Sequence, residues 1–371
     1  MKKTYYILTA VFLSILLVLS FSISGCKKEA AEETTAAETT EATTAAETTA
    51  AETVVAGEEE LYILSSCIWG LDQLKPCLWG GYLAEKYWQE RGDNVRVKFA
   101  GPEGWDVDAI LVALEASIAK NPTGLMWIQL DIGEENLLRD AYDKGIMVIG
   151  LNGSAGDWPT TFILGTDQFD FGKQQALKLI EIMGKEEFNV ACGLAPTLEV
   201  HRTRLRGAQS VFEQYPGINF AGEIDQGVTM EDAVANASAF ITSHPEVDAY
   251  IGLVDNATAG IATALKDLGF KPGEKIMIGG SKNTESMQAI EEGYIQASQD
   301  QSWVAEVFYS VAQMHFIHNN VVSVSNNDSE IGFIGAPKHS ITSLPWITKD
   351  NIEYFKDQKP PEGFENFDTG L

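Results

Sequence analysis

Short apolar runs alternate with amphipathic segments throughout the last 310 or so residues of this 371-residue chain. Most of the runs are continuously apolar, which is typical of parallel strands that are covered on both faces. The predicted strands span residues 61–66, 95–99, 124–128, 147–150, 161–164, 189–193, 219–223, 249–253, 275–279 and 295–298. This alternation predicts an α/β protein with parallel, doubly wound sheets.

The segments between these strands carry apolar residues at helical spacing. In residues 107–119, for example, Ile110, Leu114 and Ile118 share one face. Gly269 and Gly293 mark two helix ends, where glycine commonly adopts a left-handed conformation. The other predicted helices span residues 167–183, 203–214, 230–242, 256–268 and 303–317.

The length of this region exceeds the usual limit for one hydrophobic core, so two lobes are expected. In doubly wound sheets, ligands bind outside the carboxyl ends of the strands, at a topological switch point. The residues that directly follow each predicted strand are therefore the first candidates for a binding site.

The N-terminus has the parts of a secretion signal. Lys2 and Lys3 precede an apolar run, and small residues follow it up to Cys26. The sequence Ile-Ser-Gly-Cys at 23–26 resembles the lipobox of bacterial lipoproteins, in which residues 1–25 would be removed and Cys26 acylated. An uncleaved membrane anchor is the alternative, because the apolar run approaches the ~20 residues that span a bilayer. Both interpretations predict an extracytoplasmic protein held at the membrane, and a lipid anchor on Cys26 is our prediction.

Residues 26–60 are predicted to be a disordered tether. After Cys26 they are almost entirely Ala, Thr and Glu, with a repeating AAETT pattern and no aromatic residue. Such a segment buries too little apolar surface to offset the entropy lost on ordering. As a coil it would span roughly 30–35 Å and keep the globular part clear of the membrane surface.

Charge and cysteine spacing exclude several classes of function. The formal net charge of −27 disfavours nucleic acid and anionic lipid as partners. Cys67, Cys77 and Cys192 do not have the spacing of a zinc site, and there is no GxSxG, phosphate-binding glycine loop or HExxH motif. We therefore expect no metal, no cofactor and no enzymatic activity. Cys67 and Cys77 either form a disulfide or remain packed thiols, and the sequence leaves both open.

Five stretches in order resemble the type 1 periplasmic binding proteins, specifically the ribose/galactose-like solute-binding components of sugar importers. They are ILGTDQFDFG (163–172), RTRLRG (202–207), HPEVDAYIGLVD (244–255), Glu292-Gly293 followed by Gln301, and WITKDNIEY (346–354). The resemblance implies two Rossmann-like lobes joined by three hinge strands. The first lobe would comprise 61–165 plus 282–318 and the second 166–281 plus 319–358, with a C-terminal tail at 359–371.

The resemblance also implies a function. A monomeric, membrane-anchored protein of this kind captures a small polar ligand, here expected to be a sugar, between its lobes and delivers it to an ABC transporter permease. The alternatives are a receptor component for chemotaxis or a sensor kinase, and a protein that binds a nucleoside or amino acid-like ligand. Regulators of the lactose-repressor type share the fold, but they begin with a helix-turn-helix where this chain has its signal.

Sugar recognition requires oriented hydrogen-bond partners for hydroxyls and flat aromatic surfaces for C–H faces. The predicted ligand-binding residues are Trp69, Trp79, Trp105, Asp106, Asp131, Asn152, Arg202, Asp255, Ser281 and Gln301. Core packing is the alternative role for each tryptophan, and helix capping for the three aspartates. By the same resemblance, Arg204 is expected to support the hinge side. Ser281 stands where relatives often have a carboxylate, so the identity of the sugar is not specified.

Overall fold

The structure is a computed structural model that describes residues 57–130, 132–153, 159–328, 330–356 and 358–371. The predicted signal peptide, Cys26, most of the predicted tether and Asp131 lie outside the described residues. In the part of the chain that is described, no helix combines the length and apolarity needed to cross a bilayer.

The described residues form twelve strands and ten α-helices. The strands are β1 (Glu60–Leu64), β2 (Val95–Phe99), β3 (Gly124–Ile128), β4 (Met147–Leu151), β5 (Phe162–Gly165), β6 (Phe188–Leu194), β7 (Ile218–Asp225), β8 (Ala249–Gly252), β9 (Ile276–Gly279), β10 (Ala297–Gln299), β11 (His339–Ile341) and β12 (Trp346–Ile347). The helices are α1 (Lys75–Gln89), α2 (Val107–Ala119), α3 (Glu135–Asp143), α4 (Gln168–Met183), α5 (Glu199–Phe212), α6 (Met230–Ser243), α7 (Asp255–Asp267), α8 (Thr284–Glu292), α9 (Trp303–His318) and α10 (Glu353–Lys356). Two short 3₁₀ helices span Asp72–Leu74 and Phe364–Asn366.

The strands form two six-stranded sheets, which confirms the predicted α/β class. Their orders are β11-β5-β4-β3-β1-β2 and β12-β10-β9-β8-β6-β7. Adjacent strands pair in parallel, except that β12 runs antiparallel to β10. In the first sheet β1 lies between β2 and β3, and in the second sheet β6 lies between β7 and β8. Each sheet therefore has a topological switch point beside its first strand, and such a point leaves a crevice at the carboxyl ends of the strands.

The burial of each strand follows its place in the sheet. All five residues of the central strand β3 are buried, as its uninterrupted apolar sequence predicts. The edge strand β2 instead alternates, with Val95, Val97 and Phe99 buried and Arg96 and Lys98 half-buried. On one face of this sheet, α1 packs against α9. The first lobe therefore has a continuous apolar core between its helices and its sheet.

The chain passes between the two sheets at three crossings: from β5 to α4, from β10 to α9, and from β11 to β12. Sheet membership differs from the predicted lobe boundaries at two segments. Residues 282–299 supply β10 to the second sheet, although they were assigned to the first lobe. Residues 339–341 supply β11 to the first sheet, although they were assigned to the second lobe. Both strands have only three residues, and an apolar pattern that short does not show which sheet a strand joins.

The predicted C-terminal tail packs on the first lobe. The backbone N–H of Phe99 donates to the carbonyl oxygen of Thr369 at 2.8 Å. The ring of Phe367 lies edge-on to Tyr82, with 5.6 Å between ring centroids. The last residues therefore cover the free edge of β2, a site where an unpaired strand would otherwise be exposed.

Candidate ligand-binding site

The carboxyl ends of strands from both sheets meet around one cavity of about 180 Å³. Its lining includes Ser66 after β1, Gln129 after β3, Asp255 after β8 and Gln301 after β10. An apolar protein cavity of about 150 Å³ is known to hold benzene, so this cavity has room for one six-membered ring. By the strand-end rule, this cavity between the lobes is the candidate binding site.

Arg204 of α5 is the buried cation of this cavity. Its Nε donates to Oε1 of Gln168 at 2.6 Å, and its Nη1 donates to the carbonyl oxygen of Leu253 at 2.7 Å. Its guanidinium lies 4.3 Å from the ring centroid of Phe171. Burial lowers the pKa of Arg204 to about 10, with the negative charge of Asp255 acting against this, so the side chain is charged at neutral pH.

Two carboxyl groups line the same cavity. Burial raises the pKa of Asp255, with the nearby Asp300 adding to the rise and a hydrogen bond from Ser281 and the charge of Arg204 opposing it. Burial also raises the pKa of Asp300, and the ion pair with Lys282, at 2.8 Å between Nζ and Oδ2, opposes that rise. The cavity therefore places a cation beside each of two carboxyl groups, Arg204 beside Asp255 and Lys282 beside Asp300.

His201 contributes a neutral imidazole. Its Nδ1 accepts a hydrogen bond from the backbone N–H of Ala195 at 3.3 Å. Burial, together with the positive charge of Arg204, lowers the pKa of His201 to about 3. Because Nδ1 is the acceptor, the neutral ring carries its proton on Nε2 and can act as a donor there.

Two glutamines of the cavity have buried atoms without a partner. Among the described residues, Oε1 of Gln299 and Nε2 of Gln301 make no hydrogen bond, although both side chains line the cavity. Only 2% of Gln299 is exposed. Leaving a buried polar atom unpaired costs about 1–3 kcal/mol, so this free acceptor and this free donor favour a polar occupant.

A family model described as a periplasmic binding protein domain matches residues 82–318, more than half of the chain. This chain belongs to the periplasmic binding protein family. No curated protein matches the sequence.

Solved structures of binding proteins share the fold of this periplasmic binding protein. A glucose-galactose binding protein, GanP, from Geobacillus stearothermophilus matches with a TM-score of 0.69 and 20% identity, covering 80% of this chain and 99% of GanP. The arabinose binding protein AraP of the same organism matches with a TM-score of 0.66, 23% identity and the same coverage. A sugar ABC transporter (sugar-binding protein) from Bacillus halodurans matches with a TM-score of 0.70, 22% identity and again 80% and 99% coverage.

The structure brings five of the predicted site residues to the cavity: Trp105, Asn152, Asp255, Ser281 and Gln301. Ligand contact by these residues stays a prediction. The side chain of Asn152 is already engaged, since Oδ1 accepts from the N–H of Thr166 at 2.5 Å and Nδ2 donates to Glu306 at 2.8 Å. Its backbone has the left-handed φ of 55° that asparagine tolerates better than most residues.

Three other predicted residues lie away from the cavity. Trp69 is 37% exposed on the loop after β1, and Trp79 lines a neighbouring cavity. Asp106 caps α2, because its Oδ1 accepts from the N–H of Ala109 at 3.0 Å. Capping was the alternative role that the sequence left open for Asp106. Asp131 lies outside the described residues.

The structure differs from the prediction for Arg202. Its Nη1 pairs with Oε2 of Glu223 at 2.6 Å and its Nε donates to the carbonyl oxygen of Pro196, outside the cavity. The sequence predicted a helix from residue 203, whereas α5 begins at Glu199. Residues two apart on a helix point about 200° apart, so Arg204 takes the cavity face and Arg202 the opposite one. Leu198 supplies no capping side chain, so the early start has no sequence signal.

Several cavity residues were missing from the prediction. They are Gln129, Gln168, His201, Arg204, Lys282, Gln299, Asp300 and Trp303. Gln129 and Asp300 directly follow strands and Gln299 is the last residue of β10, so the strand-end rule includes them. Gln168, His201 and Arg204 lie on helices, and only their tertiary position directs them to the cavity.

Of the two alternatives for Cys67 and Cys77, the structure has the packed thiols. Cys67 and Cys77 are free and buried, and burial raises the pKa of Cys67 to about 12. Among the residues that the structure describes, no group of His, Cys, Asp and Glu is arranged to hold a metal ion.

Proposed function

We propose that this protein binds a neutral sugar of monosaccharide size in the cavity between its lobes and delivers it to an ABC importer. The free acceptor on Gln299 and the free donor on Gln301 carry this proposal. A hydroxyl group both donates and accepts, so a ring with several hydroxyls can satisfy both atoms at once. The similar proteins GanP, a glucose-galactose binding protein, and AraP, an arabinose binding protein, support the same ligand class.

The charges of the cavity support a neutral ligand. Arg204 and Lys282 are balanced by Asp255 and Asp300, and His201 is uncharged. An anionic or cationic ligand would upset this balance in a site of low dielectric, where unpaired charge is costly. A sugar instead gains charge-assisted hydrogen bonds to these groups without adding charge.

Aromatic residues support the same proposal. Trp105 is half exposed on the loop after β2, and Trp303 lies at the start of α9, and both line the cavity. An indole ring offers a flat apolar face to the C–H side of a sugar ring. The proposed site therefore combines polar groups for the hydroxyls with apolar surface for the ring.

We further propose that the protein works outside the cytoplasm, anchored by a lipid on Cys26, with residues 27–60 as the tether. The basic start, apolar run and Ile-Ser-Gly-Cys sequence support the anchor. Capture and delivery require no chemistry, and we propose no enzymatic activity.

The test is a thermal-shift screen followed by titration calorimetry on the chain from Gly57 onwards. The probes are D-glucose, D-galactose, L-arabinose and D-allose, with adenosine and L-leucine as ligands of other classes. A sugar at a hundredfold excess over its Kd adds about 2.7 kcal/mol to the free energy of unfolding, which raises the Tm by several degrees. A shift with adenosine or L-leucine, and none with any sugar, would reject the sugar class.

A further inference from the structure

One ion pair, between Lys282 and Asp300, lies in the wall of the ligand cavity. Nζ of Lys282 and Oδ2 of Asp300 are 2.8 Å apart, and only 15% and 10% of the two side chains are exposed. Lys282 lies in the loop between β9 and α8, and Asp300 directly follows β10, in the crossing that leads to α9. The pair therefore sits where a crossing between the lobes borders the proposed ligand site.

Further hydrogen bonds hold both partners in place. The backbone N–H of Asp300 donates to the carbonyl oxygen of Pro345 at 3.0 Å, in the crossing between β11 and β12. Nζ of Lys282 also donates to Oε1 of Gln358 at 3.2 Å, in the C-terminal segment. The Asp300 carboxylate is thus already positioned in this structure, and a preorganised group costs a ligand less ordering free energy on binding.

The Asp300 carboxylate has room for a further hydrogen bond. An ionised carboxylate offers about four acceptor sites, and Nζ of Lys282 and the backbone N–H of Gln301 take two of them. Gln299 and Gln301, on either side of Asp300, have the cavity oxygen and nitrogen that make no hydrogen bond among the described residues. Residues 299–301 therefore present two acceptor groups and one donor group to the cavity.

The negative charge of Asp300 is costly without Lys282. Burial raises the pKa of Asp300, and the charge and the hydrogen bond of Lys282 oppose this rise. The charge of Asp300 in turn adds to the raised pKa of Asp255 and to that of Glu306. The ionised carboxylate therefore has two acidic neighbours, and Lys282 is the cation in direct contact with it.

We propose that Asp300 accepts a hydrogen bond from a sugar hydroxyl and that Lys282 is its positioning residue, which holds this carboxylate ionised and in place. A hydrogen bond to an ionised acceptor is about twice as strong as one between neutral groups. Lys282 thereby extends towards acid the pH range over which the site binds a sugar. This inference rests on the proposed function, because it requires a sugar in the cavity.

Other charged and titratable groups surround the pair. They are Asp255 on α7, His201 and Arg204 on α5, Glu306 on α9, Cys77 on α1 and Lys359 in the C-terminal segment. Glu306 titrates within the experimental range, because burial raises its pKa to about 7. The effect of Lys282 is therefore measured as the part of a pH dependence that requires Asp300.

The first arm is urea denaturation of the ligand-free protein at pH about 5.5 and about 8.5. Without the cation, the folded protein holds the Asp300 proton more tightly, so the free energy of unfolding is lost as the pH rises through the pKa of Asp300. Relative to the wild type, we expect Lys282→Met to shift the unfolding equilibrium about fivefold further at the higher pH than at the lower one. In an Asp300→Asn background this difference should vanish.

Two variants serve as controls. Lys282→Arg keeps the charge and should keep the wild-type pH dependence. Lys266→Met removes a lysine that pairs with Glu292 at 2.7 Å outside the cavity, and its effect should be equal at both pH values. Equal destabilisation by Lys282→Met at both pH values, or a difference that survives Asp300→Asn, would overturn the proposal. If Lys282→Met does not fold, Lys282→Gln also removes the charge and has the same expected result.

The second arm titrates D-galactose and L-arabinose by calorimetry at the same two pH values. Relative to the wild type, the affinity of Lys282→Met should be about fivefold lower at pH 5.5 than at pH 8.5, because a protonated Asp300 is the weaker acceptor. Asp300→Asn should bind weakly at both, and adding Lys282→Met to it should create no further pH dependence. An affinity loss that is the same at both pH values would mean that Lys282 contacts the sugar itself, and would overturn its positioning role.

Failure of this inference and failure of the proposed function give different results. If neither sugar binds the wild type, the proposed function loses support, while the first arm still decides whether Lys282 holds Asp300 ionised. If a sugar binds the wild type and Asp300→Asn equally well, the contact with Asp300 is rejected and the proposed function stands.

Discussion

Arg204 and Gln168 join two helices of the second lobe across 2.6 Å, from Nε to Oε1, at the wall of the ligand cavity. Gln168 is the first residue of α4, directly after the β5 crossing, and Arg204 lies in α5. The contact fixes the buried guanidinium beside the hinge. It therefore couples the position of the cavity's main cation to the crossing between the lobes.

Replacing this cation should weaken binding. We expect Arg204→Gln to weaken the affinity for the sugar found by screening about 100-fold, since hydrogen bonds to a charged group contribute about 1.5–3 kcal/mol. Titration calorimetry measures the loss, and circular dichroism checks the fold. The matched controls are Arg202→Gln and Arg206→Gln, whose guanidinium groups pair with Glu223 and Glu199 outside the cavity. Comparable losses in a control would contradict the assignment.

Replacing Gln299, whose Oε1 has no hydrogen-bond partner among the described residues, should change protein stability and sugar affinity in opposite directions. Gln299→Met removes a buried, unpartnered oxygen, so it should raise the free energy of unfolding of the ligand-free protein by about 1 kcal/mol while weakening sugar binding at least tenfold. Thermal denaturation and calorimetry measure the two effects. Gln313→Met is the matched control, because Oε1 of Gln313 is also unpartnered but lies outside the cavity. A Gln299→Met protein that is less stable and binds normally would count against this role.

The neutral state of His201 predicts an acid sensitivity. The pKa of His201 is about 3 in the folded protein and near 6.5 in the unfolded chain. The contribution of neutral His201 to the free energy of unfolding is therefore fully present above pH 6.5 and is lost as the pH falls towards 3. The loss can reach about 1.4 kcal/mol for each pH unit. Urea denaturation of the wild type and His201→Asn across pH about 4–8 should show a difference that shrinks below pH 6.5. A difference that stays constant over the range would refute the neutral imidazole.

Gly172 permits the close approach of α4 and α5. A Cβ at this position would collide with the backbone carbonyl oxygen of Arg204. We expect Gly172→Ala to lower the free energy of unfolding by about 1–3 kcal/mol and to weaken binding, because α5 must move and carries Arg204 with it. Gly184→Ala, at the open C-terminal end of α4, provides a control for helix strain without a collision. Binding that stays intact in Gly172→Ala would mean that Arg204 tolerates the shift.

The proposed lipid anchor has its own test. Cys26→Ala in the full chain should release the protein from the membrane fraction while leaving sugar affinity unchanged, because the modified residue is far along the sequence from the cavity residues. Fractionation and immunoblotting measure the release. Retention of the variant in the membrane would favour the uncleaved anchor.

The sequence predicted most of the fold because a strand between two helix layers must be apolar on both faces. β2 and β3 occur at the predicted residues, and the other predicted strands differ from the structure by a few residues at their ends. The three-residue β11 and the two-residue β12 carry no such pattern, and their pairing depends on long-range contacts with β5 and β10. The strand within residues 282–299, β10, is also only three residues long, so the sequence did not predict which sheet it joins.

For the site, the sequence determined which strand ends could supply ligand-binding groups, since chain order fixes the residues that follow each strand. Asp255, Ser281 and Gln301 were found in this way. The tertiary structure decided between Arg202 and Arg204, because the two lie about 200° apart on α5 and the packing of this helix turns Arg204 to the cavity and leaves Arg202 outside it. It also decided that Glu306, an ordinary acidic residue of an amphipathic helix in the sequence, is buried among three crossings that lie far apart along the chain. Local patterns determine which residues form a helix or strand, whereas the environment of a side chain depends on contacts between segments that the sequence separates.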